Sequence, residues 1–212
     1  QDRRAEPVCA ALREGGLQAT IREKTGLVID AYFSATKLKW ILDNVPGARA
    51  AAHRGELAFG TVDTWLAWHL SGGAVHATDV SNASRTMLYD IDAAQWSEEL
   101  CALFGVPRSM LPDVRHSAGA FGVTQREQLG HELPIRQQAA LYGQGCWQPG
   151  EGKNTYGTGA FLLFNAGATR PKGGGGLLTT VACDASGNPV YALEAAIFIA
   201  GAAVQWLRDG LQ

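Results

Sequence analysis

Long apolar runs are missing from this sequence of 212 residues, and none approaches the ~18 apolar residues of a membrane-spanning helix. We also expect no secretory signal peptide, because no apolar stretch follows Gln1-Asp2-Arg3-Arg4. The formal net charge is only -2, and the Lys and Arg residues are scattered along the chain. Without a basic stripe, we expect neither a nucleic acid nor a membrane as a partner.

Paired cysteines and clustered histidines are also lacking. Among the five histidines, the closest pair is His69 and His76, which flank a Gly-Gly turn and do not have ligand spacing. The four cysteines are far apart and form no C-x-x-C pair: Cys9, Cys101, Cys146 and Cys183. The sequence therefore predicts neither a zinc site nor a disulfide framework.

The composition is that of a folded protein, with 46% hydrophobic and 18% charged residues. The length allows one large domain or two small ones with a sizeable core. The chain lacks an initial Met and runs almost at once into a helical pattern, and it stops at the end of another. We therefore expect a fragment whose two ends lie inside domains.

The stretch Asn154–Phe161 predicts a strand, a tight glycine turn and a second strand. Gly157 and Gly159 allow positive φ and leave room for a ligand, and Thr158 offers a hydroxyl and a backbone N–H between them. Such a turn can hold a phosphate. An ordinary hairpin has the same local sequence, so the stretch alone does not decide between the two interpretations.

The pattern of predicted elements changes near residue 133. Helices dominate the first part, including one that Ser34 caps and one over residues 62–70 that Thr61 caps, with a polar connecting segment over residues 113–132. Residues 57–59 are expected to be extended. The second part predicts a helix at 137–146, four strands and a final helix over residues 195–208; the strands are 153–156, 161–165, 177–183 and 189–193. We predict an α/β protein with two domains, residues 1–133 and 134–212.

The segment Tyr32 to Asn44 (Tyr-Phe-Ser-Ala-Thr-Lys-Leu-Lys-Trp-Ile-Leu-Asp-Asn) resembles the first signature of the FGGY carbohydrate kinase family. Further blocks make the chain similar to the glycerol-phosphorylating members from Gln1 to Asp209: residues 60–66, 78–88, 137–144, 154–161 and 200–209. The resemblance implies an actin-like, ribonuclease-H-like two-domain kinase fold with both domains incomplete. Residues 1–133 correspond to the C-terminal part of the first domain and 134–212 to the N-terminal part of the second.

The implied reaction transfers the γ-phosphoryl group of ATP to glycerol, giving glycerol 3-phosphate and ADP with Mg²⁺ as cofactor. Phosphoryl transfer depends on positioning, on dipoles that hold phosphate and on a carboxylate that accepts the hydroxyl proton. By resemblance, Tyr32, Gln137 and Phe161 contact glycerol. Without a ligand, each has a simpler interpretation: a half-buried tyrosine, a residue in the first turn of a helix and a strand residue in the core.

The resemblance assigns four residues to the nucleotide: Gly157, Thr158, Gly201 and Gln205. Gly201 falls inside the predicted final helix, where glycine costs about 1 kcal/mol relative to alanine. Close approach of a ligand or of backbone would explain that cost, and so would simple packing of the helix on the sheet. Asp79 and Arg85, in a polar loop, are interpreted as structural or loop-capping residues.

The chain departs from the family just before Gln137. Family members read Pro-Ile-Ser-Gly-Ile-Ala-Gly-Asp-Gln-Gln, whereas this chain reads Pro134-Ile135-Arg136-Gln137-Gln138. The missing Asp is the catalytic base of the family, and arginine cannot replace it. We therefore expect no catalytic base and little or no activity. Either the chain is a degenerate, internally deleted remnant, or the sequence skips residues of a complete protein.

Other interpretations stay open. The chain resembles other FGGY kinases that act on a pentose or gluconate, and it is also compatible with a non-catalytic remnant that binds nucleotide or pairs with other subunits. The loop over residues 125–132 lacks the Gly-x-Arg element that binds fructose 1,6-bisphosphate in regulated members, so we expect no such control. A cytoplasmic location and a homo-oligomer are further expectations.

Overall fold

A computed structural model of the protein describes residues 2–136, 140–172 and 175–210. Its internal contacts divide the chain into two compact units, residues 1–137 and 138–212. Among the described residues, no helix has the length and apolar character needed to cross a bilayer. All four cysteines are buried and free.

Unit 1 is built mainly from short helices joined by tight turns. Left-handed glycines end several of them, such as Gly26 after the second helix and Gly105 after the seventh, because glycine adopts positive φ without strain. The helices are α1 (Glu6–Glu14), α2 (Gln18–Thr25), α3 (Ser34–Asn44), α4 (Ala48–His53), α5 (Val62–Leu70), α6 (Val80–Ala83), α7 (Glu98–Phe104) and α8 (Arg126–Leu129), with a 3-10 turn at Arg108–Met110.

The strands of unit 1 form three small pairs. The pair β1–β4 is parallel, with Thr78 opposite Val114. The pairs β2–β3 and β5–β6 are antiparallel. The strands are β1 (Ala77–Asp79), β2 (Tyr89–Asp90), β3 (Gln95–Trp96), β4 (Asp113–Arg115), β5 (Gly122–Val123) and β6 (Pro134–Ile135). One apolar cluster joins α5, β1 and β6: Ala67, Val75, Ala77, Phe121 and Ile135.

Unit 2 is a four-stranded antiparallel sheet with the order β7-β8-β10-β9. Its strands are β7 (Gly152–Tyr156), β8 (Ala160–Gly167), β9 (Leu178–Cys183) and β10 (Pro189–Ile197). The short helix α9 (Ala140–Gly143) supplies Leu141 to a core that also contains Cys146, Ala182 and Ala192. The helix α10 (Gly201–Gly210) follows β10 and buries none of its side chains.

The structure corrects several sequence predictions. The final helix does not begin at Ala195: residues 195–197 continue β10 and pair with β8, so the helix begins at Gly201. The predicted connecting segment 113–132 contains β4, β5 and α8. Phe33, not Ser34, precedes the first turn of α3 as its N-cap. The predicted hairpin at 154–161 and the bounds of α5 are confirmed.

Candidate functional site

The turn between β7 and β8 is tight and is held by backbone alone. Tyr156 pairs with Ala160 at the end of the ladder. Beyond that pair, the N–H of Gly157 donates to the carbonyl of Gly159 at 2.8 Å. Gly157 and Thr158 are exposed at the tip, whereas Gly159 is buried. The turn therefore presents Thr158 outward on a rigid ladder.

The start of α10 is bonded to the same turn. The carbonyl of Thr158 accepts hydrogen bonds from Ala200 N–H at 2.8 Å and Ala202 N–H at 3.2 Å. The carbonyl of Gly157 accepts one from Gly201 N–H at 3.0 Å. The turn thus satisfies N–H groups that a helix start leaves without an intrahelical partner. Because carbonyls are used on the turn side, the N–H groups of the turn are not consumed by this contact.

Two glycines make this close approach possible. A Cβ at Gly201 would lie 2.3 Å from the carbonyl oxygen of Gly157, which no side chain tolerates without a backbone shift. A Cβ at Gly159 would lie 2.7 Å from the carbonyl oxygen of Ile197. Gly201 is therefore explained by backbone packing at the first residue of the helix. The positive φ expected at Gly157 and Gly159 is wrong, because neither residue adopts it, and Gly159 is instead required by close backbone packing.

Thr158 retains unused donors. Its backbone N–H and its hydroxyl have no acceptor among the described residues, and the side chain is exposed. The first turn of α10 contains no acidic residue, and the N–H groups of Gly201 and Ala202 at its start are already bonded to carbonyls of the turn. Two donors beside a helix N-terminus form a suitable contact for an anionic oxygen.

Gln205 lies on α10 four residues after Gly201, which places both on the same side of the helix. Its side chain is exposed and hydrogen-bonds Asp209. The pKa of the Asp209 carboxyl is lowered, chiefly by the Arg208 guanidinium and also by Gln205. Gln205 is thus available at the surface near the turn.

Phe161 is the second residue of β8 and is partly buried. Its ring meets the ring of Phe198 edge-on, with the centroids 6.4 Å apart. Phe198 lies just before α10 and was not singled out from the sequence. The structure therefore brings Phe161 together with Gly157, Thr158 and Gly201 around one turn.

Tyr32 belongs to unit 1 and precedes α3. Its ring is about half exposed and meets Phe33 edge-on at 5.2 Å between centroids. The Lys37 ammonium donates to the Tyr32 carbonyl at 2.6 Å and lies 6.0 Å from the ring centroid. Burial lowers the pKa of Lys37. These contacts fix the backbone at Tyr32 beside a cationic group.

Gln137 lies outside the described residues. Its neighbour Arg136 follows β6, and its guanidinium donates to the carbonyl of Ala118 at 2.5 Å. Arg136 is exposed. Arg136 stands where family members have the segment that ends in the catalytic Asp. A permanently charged donor thus takes the place of the carboxylate.

A divalent cation has no ligand set in the described part of the chain. No group of three or more His, Cys, Asp or Glu side chains is arranged there to hold a metal ion. Because Mg²⁺ is usually held by one or two carboxylates together with substrate phosphates and water, no catalytic step through the ion is derived from these residues.

Comparison with known proteins assigns the first unit. Residues 1–134 match the sequence model described as the FGGY family of carbohydrate kinases, N-terminal domain. The chain belongs to this family. Because the match takes in more than half of the sequence, the FGGY assignment does not depend on the short motif at residues 157–159.

Relatives with curated names are similar along the whole sequence. The glycerol kinase of Delftia acidovorans is 58% identical across 100% of this chain, which covers 44% of that protein. The glycerol kinase of Halorhodospira halophila is 59% identical across 100% of this chain and 43% of its own length. The FGGY chain described here therefore spans less than half the length of the curated relatives it matches.

Solved structures give the same fold. A crystal structure of Plasmodium falciparum glycerol kinase with ADP superposes with a TM-score of 0.88 at 35% identity, covering 98% of this chain and 43% of that one. A xylulose kinase from Rhodospirillum rubrum superposes with a TM-score of 0.79 at 20% identity, covering 96% and 42%. The fold is the actin-like, ribonuclease-H-like fold of FGGY kinases in partial form, as the resemblance implied.

The alignment length bears on the segment before Gln137. The match with the Delftia acidovorans protein runs over 217 positions, five more than the 212 residues of this chain. Replacing Ser-Gly-Ile-Ala-Gly-Asp by Arg136 alone would also shorten the chain by five residues. Both differences are five residues.

Proposed function

We propose that the chain derives from an ATP-dependent kinase that phosphorylates glycerol to glycerol 3-phosphate, and that it keeps a nucleotide-phosphate contact but lacks the catalytic base. One observation carries the nucleotide part: Thr158 has two unused donors on a turn bonded to the start of α10. The similarity to glycerol kinases at 58–59% identity supports the choice of substrate.

In this proposal the turn binds a terminal phosphate of ATP or ADP. The N–H and hydroxyl of Thr158 donate to phosphate oxygens beside the start of α10. Gly157 keeps the approach open, because a Cβ there would meet nothing closer than 3.9 Å. Gly201 acts indirectly by letting the helix approach the turn, and Gln205 is offered to the nucleotide from the next turn of α10.

Glycerol would be contacted by Phe161 and Tyr32, with Gln137 as a third contact. The Phe161 ring would cover the carbon side of the triol, while the Tyr32 phenol and the Gln137 amide would bond its hydroxyls. We further propose that residues 134–212 are the start of the second kinase domain.

Transfer to glycerol also needs a group that accepts the hydroxyl proton, and Arg136 cannot act as one. We therefore expect the chain to bind ADP without catalysing turnover. Calorimetry with ADP should detect binding, and a coupled assay for ADP release with glycerol and MgATP should stay at background. Turnover close to that of an intact relative would contradict the proposal.

The loss of the base can be tested in a complete relative. In an intact relative that carries the family segment, replacing Ser-Gly-Ile-Ala-Gly-Asp by a single Arg should lower kcat by about 1,000-fold or more, because a positioned base contributes roughly 100- to 10,000-fold. The single Asp-to-Asn change in that segment is the matched control that removes the base without shortening the chain. An unchanged kcat in both variants would refute the assigned role.

A non-catalytic role is the second candidate, favoured by the arginine at the position of the base. It differs from the first only in whether glycerol still binds. Calorimetry with glycerol at saturating ADP separates the two proposals: a measurable glycerol affinity supports the kinase remnant, and its absence supports a nucleotide-binding or structural remnant.

A further inference from the structure

Helix α5 is apolar around most of its circumference. Six of its nine residues are apolar, and only Thr64 and Ala67 are buried. Val62, Trp65 and Leu66 lie on another side of the helix, at spacings of three and four residues, and are 76%, 58% and 47% exposed. A helix with this composition is normally buried on several sides. We call these three residues the open face of α5.

The segment just before α5 has the pattern of a strand with one free edge. Along residues 56–61, exposed and partly buried residues alternate one by one, as in a β-strand. On one edge, Phe59 N–H donates to Met110 O at 2.7 Å, and His76 Nε2 lies 2.7 Å from Phe59 O. On the other edge, the N–H groups of Ala58 and Gly60 have no acceptor among the described residues.

Between this segment and α5 lies a cleft of about 380 Å³, lined by aromatic rings, by the imidazoles of His69 and His76 and by one hydroxyl. Trp65 and Trp68 form part of its wall. The Thr64 hydroxyl in the same wall is buried and has no hydrogen-bond partner. A buried hydroxyl without a partner is costly, so the Thr64 hydroxyl lacks a hydrogen-bonding group and the apolar wall lacks cover.

The parallel sheet formed by β1 and β4 in unit 1 is small for a parallel sheet. Within the described residues, β1 pairs in parallel with β4 alone. Parallel strands occur almost always in larger sheets that are covered on both faces. A further strand and its apolar side chains would supply both of the features that the cleft lacks.

We propose that the free edge at Ala58 and Gly60 and the open face of α5 dock a β-strand from the part of an FGGY N-terminal domain that this chain does not contain. The occupant is identified by backbone donors and acceptors along one edge and by apolar side chains on the side facing α5. The matched relatives carry more than half of their length outside the matched region, which supplies such a segment. The proposal does not depend on the catalytic interpretation.

The experiment mixes this chain with the part of the Delftia acidovorans glycerol kinase that lies N-terminal to the matched region. Amide hydrogen exchange at Ala58 and Gly60 should slow by about tenfold or more, because strand pairing protects those N–H groups. Trp65 fluorescence should shift to shorter wavelength as the ring loses water. The same segment fused upstream should give the same protection, so a segment that is insoluble by itself still yields a result.

Substitutions on the open face test the surface itself. Val62→Lys and Leu66→Lys should weaken the complex about tenfold or more, because each would bury an unpaired charge. The matched control is Val204→Lys on α10, which is 66% exposed and belongs to unit 2. Unchanged exchange at Ala58 and Gly60 in both the mixed and the fused protein would overturn the proposal. So would protection that appears in this chain alone as its concentration rises, since the occupant would then be a second copy.

Discussion

Two connections in the molecule, the junction of β1 and α6 at Asp79 and the turn between β7 and β8, are stabilised in opposite ways. In unit 1, the Asp79 carboxylate is fully buried and accepts bonds from Ser81 Oγ at 2.7 Å, from the N–H and side-chain amide of Asn82 at 2.9 Å each, and from Ser117 Oγ. In unit 2, the turn at Gly157–Gly159 is held by backbone bonds to α10. Side chains build the first connection, and backbone builds the second.

The difference explains where a ligand contact is possible. Around Asp79 every donor is directed inward and the carboxylate is saturated, so the junction adds stability and offers nothing outward. The turn at Thr158 is held to α10 by backbone carbonyls and by the close packing that two glycines allow. The hydroxyl and the backbone N–H of Thr158 are therefore left unused. Substitutions should therefore affect stability most at Asp79 and ligand binding most at Thr158.

The largest effect is expected for Asp79→Ala. The change leaves the buried donors of Ser81, Asn82 and Ser117 without their acceptor, and it should lower the free energy of unfolding of unit 1 by about 3 kcal/mol. Urea denaturation followed by far-ultraviolet circular dichroism measures it. The matched control is Asp113→Ala, whose carboxylate is 80% exposed and should matter by about 0.5 kcal/mol or less. Equal losses in the two variants would remove the contrast between the connections.

Gly201→Ala should have the next largest effect, and it acts on the other connection. The added Cβ would overlap the Gly157 carbonyl, so α10 and the turn must separate, at a cost of about 2 kcal/mol. ADP affinity, measured by calorimetry, should fall with stability because the turn moves. At Gly143 a Cβ meets nothing within 4 Å, so Gly143→Ala is a control that should change neither quantity.

The backbone-built connection was predictable from sequence, and the side-chain-built connection was not. Tight glycine turns between apolar runs are local patterns, so the hairpin at 154–161 and the four strands of the sheet followed directly. The hydrogen bonds to the Asp79 carboxylate include one from Ser117, which is 38 residues away in sequence. No local pattern reveals such a partner. The capping role expected for Asp79 is confirmed, because its side chain accepts from the N–H of Asn82, but the polar loop expected there is β1 running directly into α6.

The prediction that the final helix begins at Ala195 was wrong for a local reason. Residues 195–199 read Ala-Ala-Ile-Phe-Ile, a short apolar run that suits a helix or a buried strand equally well. The alanines suggested a helix, but pairing of Ala195–Ile197 with β8 extends β10 instead. As a result Gly201 moved from the middle of a predicted helix to its first residue, where its role is close packing on the turn.

Thr158→Ala should separate binding from stability. The exposed side chain makes no hydrogen bond within the described residues, so the free energy of unfolding should change by about 0.5 kcal/mol or less. Loss of one donor to a phosphate oxygen should weaken ADP binding about five- to tenfold, measured by calorimetry. Thr169→Ala, also at an exposed threonine of unit 2, is the control. If ADP binds the Thr158 variant and the parent equally well, the turn is an ordinary hairpin.

The smallest effect concerns a buried tyrosine of unit 1 and is visible only at alkaline pH. Burial, with help from the Asp90 and Asp79 carboxylates, raises the pKa of Tyr89 to about 12. The unfolded chain loses this proton near pH 10, so stability present below pH 10 declines between about pH 10 and 12. Tyr89→Phe should lose less stability over that interval than the parent in denaturant titrations. Tyr156→Phe, at a ring that is 79% exposed, is the matched control. If the free energy of unfolding depends on pH in the same way in the parent and in the Tyr89 variant, the raised pKa of Tyr89 is contradicted.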